Sequence, residues 1–184
     1  MLDFCLLRFR KMPFLMMSAG GLVLLAAIWD VFSRRIPNLL PLIIALLYLL
    51  QAGIAGDWAA LPWHLLCGAG VLIVGIVIFS FGWLGGGDVK LLAALALWAG
   101  PDQLVLLLLM TCLAGGALAL LFVLPVILYR MPLVSGAIDW FFISVLKKPA
   151  PHLQASKTLG LQLPYGVAIA VAGFVVFYQF FRVM

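Results

Sequence analysis

Long apolar segments are the feature that most limits how this chain can fold. A helix needs about 20 mostly apolar residues to cross the roughly 30 Å of hydrocarbon in a bilayer. Hydrophobic residues make up 67% of the chain and charged residues only 9%, unlike the composition of a soluble domain. The sequence therefore predicts an all-α fold, a single integral membrane domain (residues 1–184) built as a polytopic bundle of about six transmembrane helices. Breaks at Gly, Pro and charged residues place the six apolar runs at about residues 14–32, 39–55, 59–83, 88–100, 104–128 and 164–181.

The fourth run is unusually short. It begins at Asp88, directly after three consecutive glycines, and stops at Gly100 and Pro101. Its roughly 13 helical residues reach about 20 Å, too little to span a bilayer alone. We expect Trp98 to mark the far interface, as aromatic belts do, which would put Asp88 and the glycines inside the near face of the membrane. Irregular backbone at that depth is tolerated only when it is buried in protein or lines a watery cavity.

The remaining segments give the predicted orientation. Residues 1–13 form a tail, and residues 129–163 a connection in which residues 138–145 have the spacing of an interfacial amphipathic helix. Basic residues favour the cytoplasmic side. Placing Arg34 and Arg35 there puts seven basic residues inside and four outside, and three of those four belong to the tail and oppose the assignment. The loop after the first helix is therefore predicted to be cytoplasmic.

Several classes of site and partner are excluded. The basic residues are scattered over segment ends instead of forming a patch with interleaved aromatics, which argues against nucleic acid as a partner. Cys5, Cys67 and Cys112 lie far apart with no CxxC pair, so neither a metal site nor a disulfide framework is predicted. His64 and His152 have no acidic or thiol neighbour in sequence and are interpreted as structural. We expect no cofactor.

Two acidic residues, Asp30 and Asp88, are the candidates for chemistry. Each lies at the end of an apolar segment, on the same predicted side of the membrane. Burying an ionisable group there costs free energy, so each is expected to have a partner. Two carboxylates within a few Å do not both ionise readily, and aspartyl proteolysis needs one charged and one protonated carboxyl. The chain has no Glu, and its other acids lie in the tail, in turns or in the connection: Asp3, Asp57, Asp102 and Asp139.

Structural interpretations of the same residues stay open. Asp30 is four residues before Arg34, a spacing typical of an ion pair at a helix end. Asp88 follows glycines and precedes an apolar run, a common pattern for a helix N-cap. Neither interpretation explains the glycine triplet, which would let a substrate backbone approach closely. Lys90 would snorkel to the interface or contact lipid phosphate.

Three strings carry a family resemblance. WDVFSRRIPN at residues 29–38, GGGDVK at 85–90 and LPYGVAIAVAG at 163–173 resemble, in order and spacing, the motifs of type IV prepilin peptidases, which are GxGD intramembrane aspartyl peptidases. The resemblance implies that Asp30 and Asp88 are the catalytic pair. The residues that it implies to shape the site or bind substrate are Gly85, Gly86, Gly87, Lys90, Arg34, Pro37, Asn38, Pro164, Tyr165 and Gly166.

The resemblance also implies a substrate and a place in the cell. Members of the family cut a short basic leader from prepilins and pseudopilins, which carry a single apolar helix, at the cytoplasmic face of the bacterial inner membrane. Larger members carry two CxxC pairs and also methylate the new N-terminus. This chain resembles the small, peptidase-only subfamily that serves tight-adherence (Flp-type) pili. Membrane lipid is the other expected partner.

A small proton-coupled transporter or channel-like bundle is the alternative, since it could also place two acids and a glycine break at membrane depth. It would need a pathway open to both faces, whereas the polar residues here cluster towards one. For the peptidase we expect both carboxylates to face one cytoplasmic cavity, with side chains within about 10 Å, a range that one loop movement could close. Lys90 and Arg34 are expected to ring that cavity.

Overall fold

A computed structural model describes residues 13–56, 58–129 and 165–183, and all the regular structure in these ranges is helical. The all-α class is confirmed. The helices are α1 (Pro13–Ser33), α2 (Leu39–Ala55), α3 (Leu61–Ser80), α4 (Gly86–Tyr129) and α5 (Tyr165–Val183). By length and composition α1, α3, α4 and α5 can each cross a membrane, and α2 is a shorter apolar helix. The chain is a multi-pass membrane protein.

Several predictions lie outside the described residues. These are the tail, the amphipathic helix of the connection, Cys5, His152, Pro164 and the acids Asp3, Asp57 and Asp139. The described residues up to Gly115 and from Tyr165 onward form one compact unit, and the end of α4 from Gly116 belongs to a second. The single-domain organisation of the whole chain stays a prediction.

The fourth and fifth apolar runs form one element, α4, interrupted at Gly100. This explains why five helices are found in the described ranges where about six were expected. Gly100 has φ 59° and ψ −172°, a conformation that favours glycine, and a Cβ there would collide with the ring of His64. The stretch from Gly86 to Ala99 is therefore a half-helix of about 21 Å, as its sequence predicted.

The core of the first unit is formed by one face of each of α1, α2, α4 and α5. On α1 the buried residues Met16, Ala19, Val23 and Ala26 follow helical spacing, and Asp30 continues the same face one turn later. α1 packs against α5 and α2. The opposite helix faces expose large apolar side chains, as expected where lipid is the solvent.

Trp98 is a core residue of the bundle, and its expected depth at the far interface stays a prediction. Its side chain is fully buried, and its indole Nε1 donates to the carbonyl oxygen of Ile44 at 3.0 Å. The ring makes edge contacts with Tyr48 and Phe177. The hydrogen bond to Ile44 satisfies the indole N–H, which allows the ring to be fully buried in the bundle.

A second buried polar group lies near Trp98. His64 stacks on Tyr48, and its Nδ1 is 2.7 Å from the carbonyl oxygen of Leu97. These contacts support the structural role predicted for His64. Gln51 is also buried, and neither polar atom of its amide has a hydrogen-bond partner among the described residues. The bundle core therefore contains buried polar side chains besides the two aspartates.

The helix order generates a test of orientation. Because α1, α2 and α3 follow one another through short loops, Ser33 and Leu84 should lie on one side of the membrane and Gly56 on the other. In a variant without native cysteines, Ser33→Cys and Leu84→Cys should react with an impermeant maleimide from the cytoplasm, and Gly56→Cys from outside. Reversed labelling would show that the charges of the tail, not Arg34 and Arg35, set the orientation.

Candidate active site

Asp30 lies in the last turns of α1 and is buried, with 5% of its surface exposed. Its Oδ2 accepts a hydrogen bond of 2.9 Å from the backbone N–H of Gly166, the second residue of α5. The first N–H groups of a helix have no partner within it and carry the positive end of its dipole. One oxygen of Asp30 is thus held by the start of α5.

The close contact between α1 and α5 depends on Gly166 having no side chain. A Cβ on Gly166 would lie 2.8 Å from Oδ2 of Asp30 and 3.0 Å from both its Cβ and Cγ. At these distances the Asp30 side chain would have to shift to admit any residue larger than glycine. The glycine of the LPYG string therefore has a structural reason, which the sequence could indicate only through the family resemblance.

Asp30 is not ion-paired with Arg34, contrary to the structural interpretation of that spacing. Arg34 ends α1 with φ 49°, a left-handed conformation, and only its backbone N–H bonds back to the carbonyl oxygen of Asp30, at 2.8 Å. The side chain of Arg34 is exposed. The reversal of φ turns residue 34 out of the helical register that the i, i+4 pairing requires.

Asp88 lies in the first turn of α4 and is also buried, at 8% exposure. Asp88 is not the N-cap residue, because the helix begins at Gly86. The cap is Gly85, whose carbonyl oxygen accepts the first helical hydrogen bond, from the N–H of Val89 at 3.1 Å. The Asp88 carboxylate turns back onto the backbone N–H of Gly85. This is the reciprocal half of a capping box, with Asp88 three residues after the cap.

The second oxygen of Asp88 is the unusual atom of the site. Oδ1 is buried and has no hydrogen-bond partner among the described residues. A buried carboxylate oxygen is costly when left without a partner. Asp30 and Asp88 interact electrostatically, so the bundle brings together the two acids that the sequence singled out. Such a pair can divide one proton between a base and an acid, and the free oxygen can bind a water or a carbonyl.

Each of the three glycines before Asp88 lies against a different neighbouring side chain or backbone segment. A Cβ on Gly85 would meet Oδ2 of Asp88 at 2.6 Å, whereas one on Gly86 would make an ordinary contact with the ring of Phe79 at 3.5 Å. A Cβ on Gly87 would lie 2.9 Å from the Cβ of Ile36 and 3.2 Å from its carbonyl oxygen. Gly87 therefore lets the loop between α1 and α2 reach the start of α4. Sequence reasoning missed this contact.

Lys90 and the loop residues form a separate group. The Nζ of Lys90 donates to Oδ1 of Asn38 at 2.9 Å, and both side chains are exposed. Asn38 precedes α2 but makes no side-chain cap bond, and Pro37 beside it is half-buried. No ion pair joins Lys90 or Arg34 to either aspartate in the part of the chain that the structure describes. Neither cation therefore lies in direct contact with the pair that it was expected to ring.

Tyr165 lies beside Gly166 and is half-buried, with its ring 3.6 Å from where a Cβ on Gly115 would be. It contributes to the packing of α5. In the described ranges, no group of three or more His, Cys, Asp or Glu side chains could hold a metal ion.

One comparison with known proteins gives a match. The model of a family described as the type IV leader peptidase family matches residues 17–120, more than half of the chain. The matched region includes Asp30, the loop after it, the glycine triplet and Asp88. No curated protein and no solved structure matches the chain.

The contact between Asp30 and Gly166 can be tested by a double-mutant cycle. Gly166→Ala should lower the free energy of unfolding, measured by denaturation in mixed micelles, by about 1–3 kcal/mol because it overpacks the site. Asp30→Ala removes two of the three clashing atoms, so the cost of Gly166→Ala should fall by roughly 0.5–3 kcal/mol in that background.

Gly20→Ala is the control for this cycle. A Cβ on Gly20 makes only an ordinary 3.6 Å contact with Phe174, so its effect should be the same with or without Asp30→Ala. An equal cost of Gly166→Ala in both backgrounds would contradict the direct contact.

Proposed function

This chain belongs to the type IV leader peptidase family, and from that premise we propose that it hydrolyses the leader peptide of prepilins with Asp30 and Asp88 as an aspartyl pair. The family gives the peptidase activity and prepilin-type substrates in general. The aspartyl mechanism and the roles of the two residues are the proposal. The match supports it because the matched region contains both acids.

One observation supports the mechanism above all others. Two buried carboxylates, carried by α1 and α4, interact electrostatically, and one of their oxygens, Oδ1 of Asp88, has no protein partner in the described chain. Structural carboxylates at such depth are expected to be paired or fully hydrogen-bonded. An unused oxygen beside a second acid is what a site needs to bind a water nucleophile or a substrate carbonyl.

In the proposed reaction, the ionised carboxylate removes a proton from a water as the water oxygen bonds to the scissile carbonyl carbon. The protonated carboxyl group donates a hydrogen bond to the carbonyl oxygen, where negative charge develops. The tetrahedral intermediate collapses as the C–N bond breaks and a proton passes to the leaving amine. Gly166 keeps Oδ2 of Asp30 in place, which leaves its other oxygen for the reaction.

The finer proposals concern the substrate and its side of the membrane. We infer that the substrates are prepilins and pseudopilins with a short basic leader and one apolar helix, cut at the cytoplasmic face of the bacterial inner membrane. The exposed Arg34 and Arg35 beside α1 support this orientation. Service to Flp-type pili without N-methylation rests on the sequence resemblance.

Transport by the same two acids is the competing function. The family match favours hydrolysis. Cleavage assays separate the two functions, because only a peptidase that uses both acids would lose leader cleavage when either acid is replaced.

We expect Asp30→Asn and Asp88→Asn each to reduce leader cleavage by about 10²–10⁴-fold, because an amide can neither take nor give the proton. The assay is cleavage of a purified prepilin by reconstituted enzyme, followed by mass spectrometry. Membrane insertion should be unchanged. Asp102→Asn is the control, since that exposed carboxylate lies beyond the break in α4, and it should cleave like the wild type. More than about a tenth of wild-type cleavage by either paired variant would count against the aspartyl mechanism.

The glycine triplet offers a matched pair of variants. Gly87→Ala should reduce cleavage by roughly 10–100-fold, because it pushes the Ile36 backbone away and displaces the start of α4, which carries Asp88. Gly86→Ala makes only an ordinary contact with Phe79 and should cleave nearly as well as the wild type. Equal cleavage by both variants would argue against the contact of Gly87 with the loop.

A further inference from the structure

An apolar groove of about 480 Å³ opens between α2, α3 and α4, within the first unit. Its walls are mostly small or aliphatic side chains, among them Pro41, Ala45, Ala69 and Leu97. Lys90 and Asn38, joined by their 2.9 Å hydrogen bond, belong to the same groove and lie at the starts of α4 and α2. The volume falls within the range of about 300–1,000 Å³ typical of ligand sites.

A cation distinguishes this groove from two others in the described residues. A groove of about 460 Å³, lined by the other side of α3 and by residues of α4, contains no charged side chain. The same holds for a groove of about 370 Å³ between α1 and α5. A groove with only apolar walls can be filled by bulk lipid and does not require a specific ligand. The Lys90 groove adds a fixed positive charge at one end of an apolar channel.

The chemistry of that end fits an anionic headgroup. Lys90 has three N–H donors and uses one on Asn38, so two remain for phosphate oxygens. Basic pockets between transmembrane helices bind the headgroups of anionic lipids. Lys90 is the fifth residue of α4, close enough to the helix start for its long side chain to extend towards the headgroup region.

We propose that this groove binds one anionic phospholipid, with its phosphate on Lys90 and Asn38 and one acyl chain along the walls between α2 and α3. The weak packing of α3 supports this occupant, since only His64, Gly68 and Gly75 of that helix are buried. An acyl chain in the groove would bury further apolar surface between α2 and α3. The binding is independent of the proposed peptidase activity.

The groove is not suited to the segment of a substrate that is cut. Neither Asp30 nor Asp88 is among the described residues that line it. Lys90 is directed to Asn38 and makes no ion pair with either acid in the described chain. A prepilin helix seated in the groove is therefore the competing occupant that the experiment has to separate.

The test is native mass spectrometry of the full chain with added phosphatidylglycerol or phosphatidylcholine. The wild type should retain one phosphatidylglycerol in preference to phosphatidylcholine. Lys90→Gln should weaken phosphatidylglycerol binding about fivefold, the effect of one basic residue on an anionic lipid, whereas Lys90→Arg should keep it. Ala69→Trp should fill the groove and abolish retention of this lipid.

Two variants serve as matched controls. Arg35→Gln removes an exposed charge that does not line the groove, and Val74→Trp places the same large side chain in the uncharged groove on the other side of α3. Both should retain phosphatidylglycerol like the wild type. Equal retention of the two lipids, or equal losses for Lys90→Gln and Arg35→Gln, would overturn the lipid site. If Ala69→Trp left lipid retention intact but raised the KM for prepilin, the groove would belong to the substrate instead.

Discussion

The rest of this structure depends on placing two carboxylates inside an apolar bundle. Burying a carboxylate in hydrocarbon costs free energy unless the backbone or a partner side chain forms hydrogen bonds with it. Oδ2 of Asp30 accepts a hydrogen bond from a backbone N–H in the first turn of α5. The Asp88 carboxylate accepts one from the backbone N–H of Gly85, the residue before α4. Both contacts use free N–H groups at helix starts, and the bond between Asp30 and Gly166 fixes where α5 begins relative to α1. The same arrangement leaves Oδ1 of Asp88 without a hydrogen-bond partner among the described residues, and the proposed reaction would use that oxygen.

Much of the architecture could be predicted from sequence because the apolar runs are long and sharply interrupted. The predicted limits of α2, residues 39–55, agree with the structure, and those of α1 and α5 differ by a residue or two. The short helix after the glycine triplet and its break at Gly100 were also predicted, since Gly and Pro there forbid regular continuation. The two acids could be singled out from sequence because an apolar chain offers few alternatives, and both are buried in the structure, while their catalytic role stays a proposal.

Other features of the site depend on tertiary contacts that a single sequence does not contain. The helix start near Asp88 lies two residues earlier than predicted, because Gly85 provides the cap and the carboxylate folds back onto it. Arg34 leaves the helical register, so spacing alone gave a wrong ion pair. The glycine triplet was interpreted as room for a substrate, whereas Gly87 makes room for Ile36 of the same chain, as Gly166 does for Asp30. Glycine indicates close approach without indicating what approaches.

The break in α4 also has a consequence for the protonation of a residue far from the aspartates. In a continuous helix, the N–H of residue 101 would donate to the carbonyl oxygen of Leu97, but residue 101 is proline and has no N–H. His64 of α3 stands in for the missing donor, with Nδ1 2.7 Å from that oxygen. A carbonyl oxygen can only accept, so Nδ1 must carry the proton. The imidazole is thereby restricted to the Nδ1–H tautomer or the doubly protonated form, and α3 completes the backbone bonding that Pro101 denies to its neighbour.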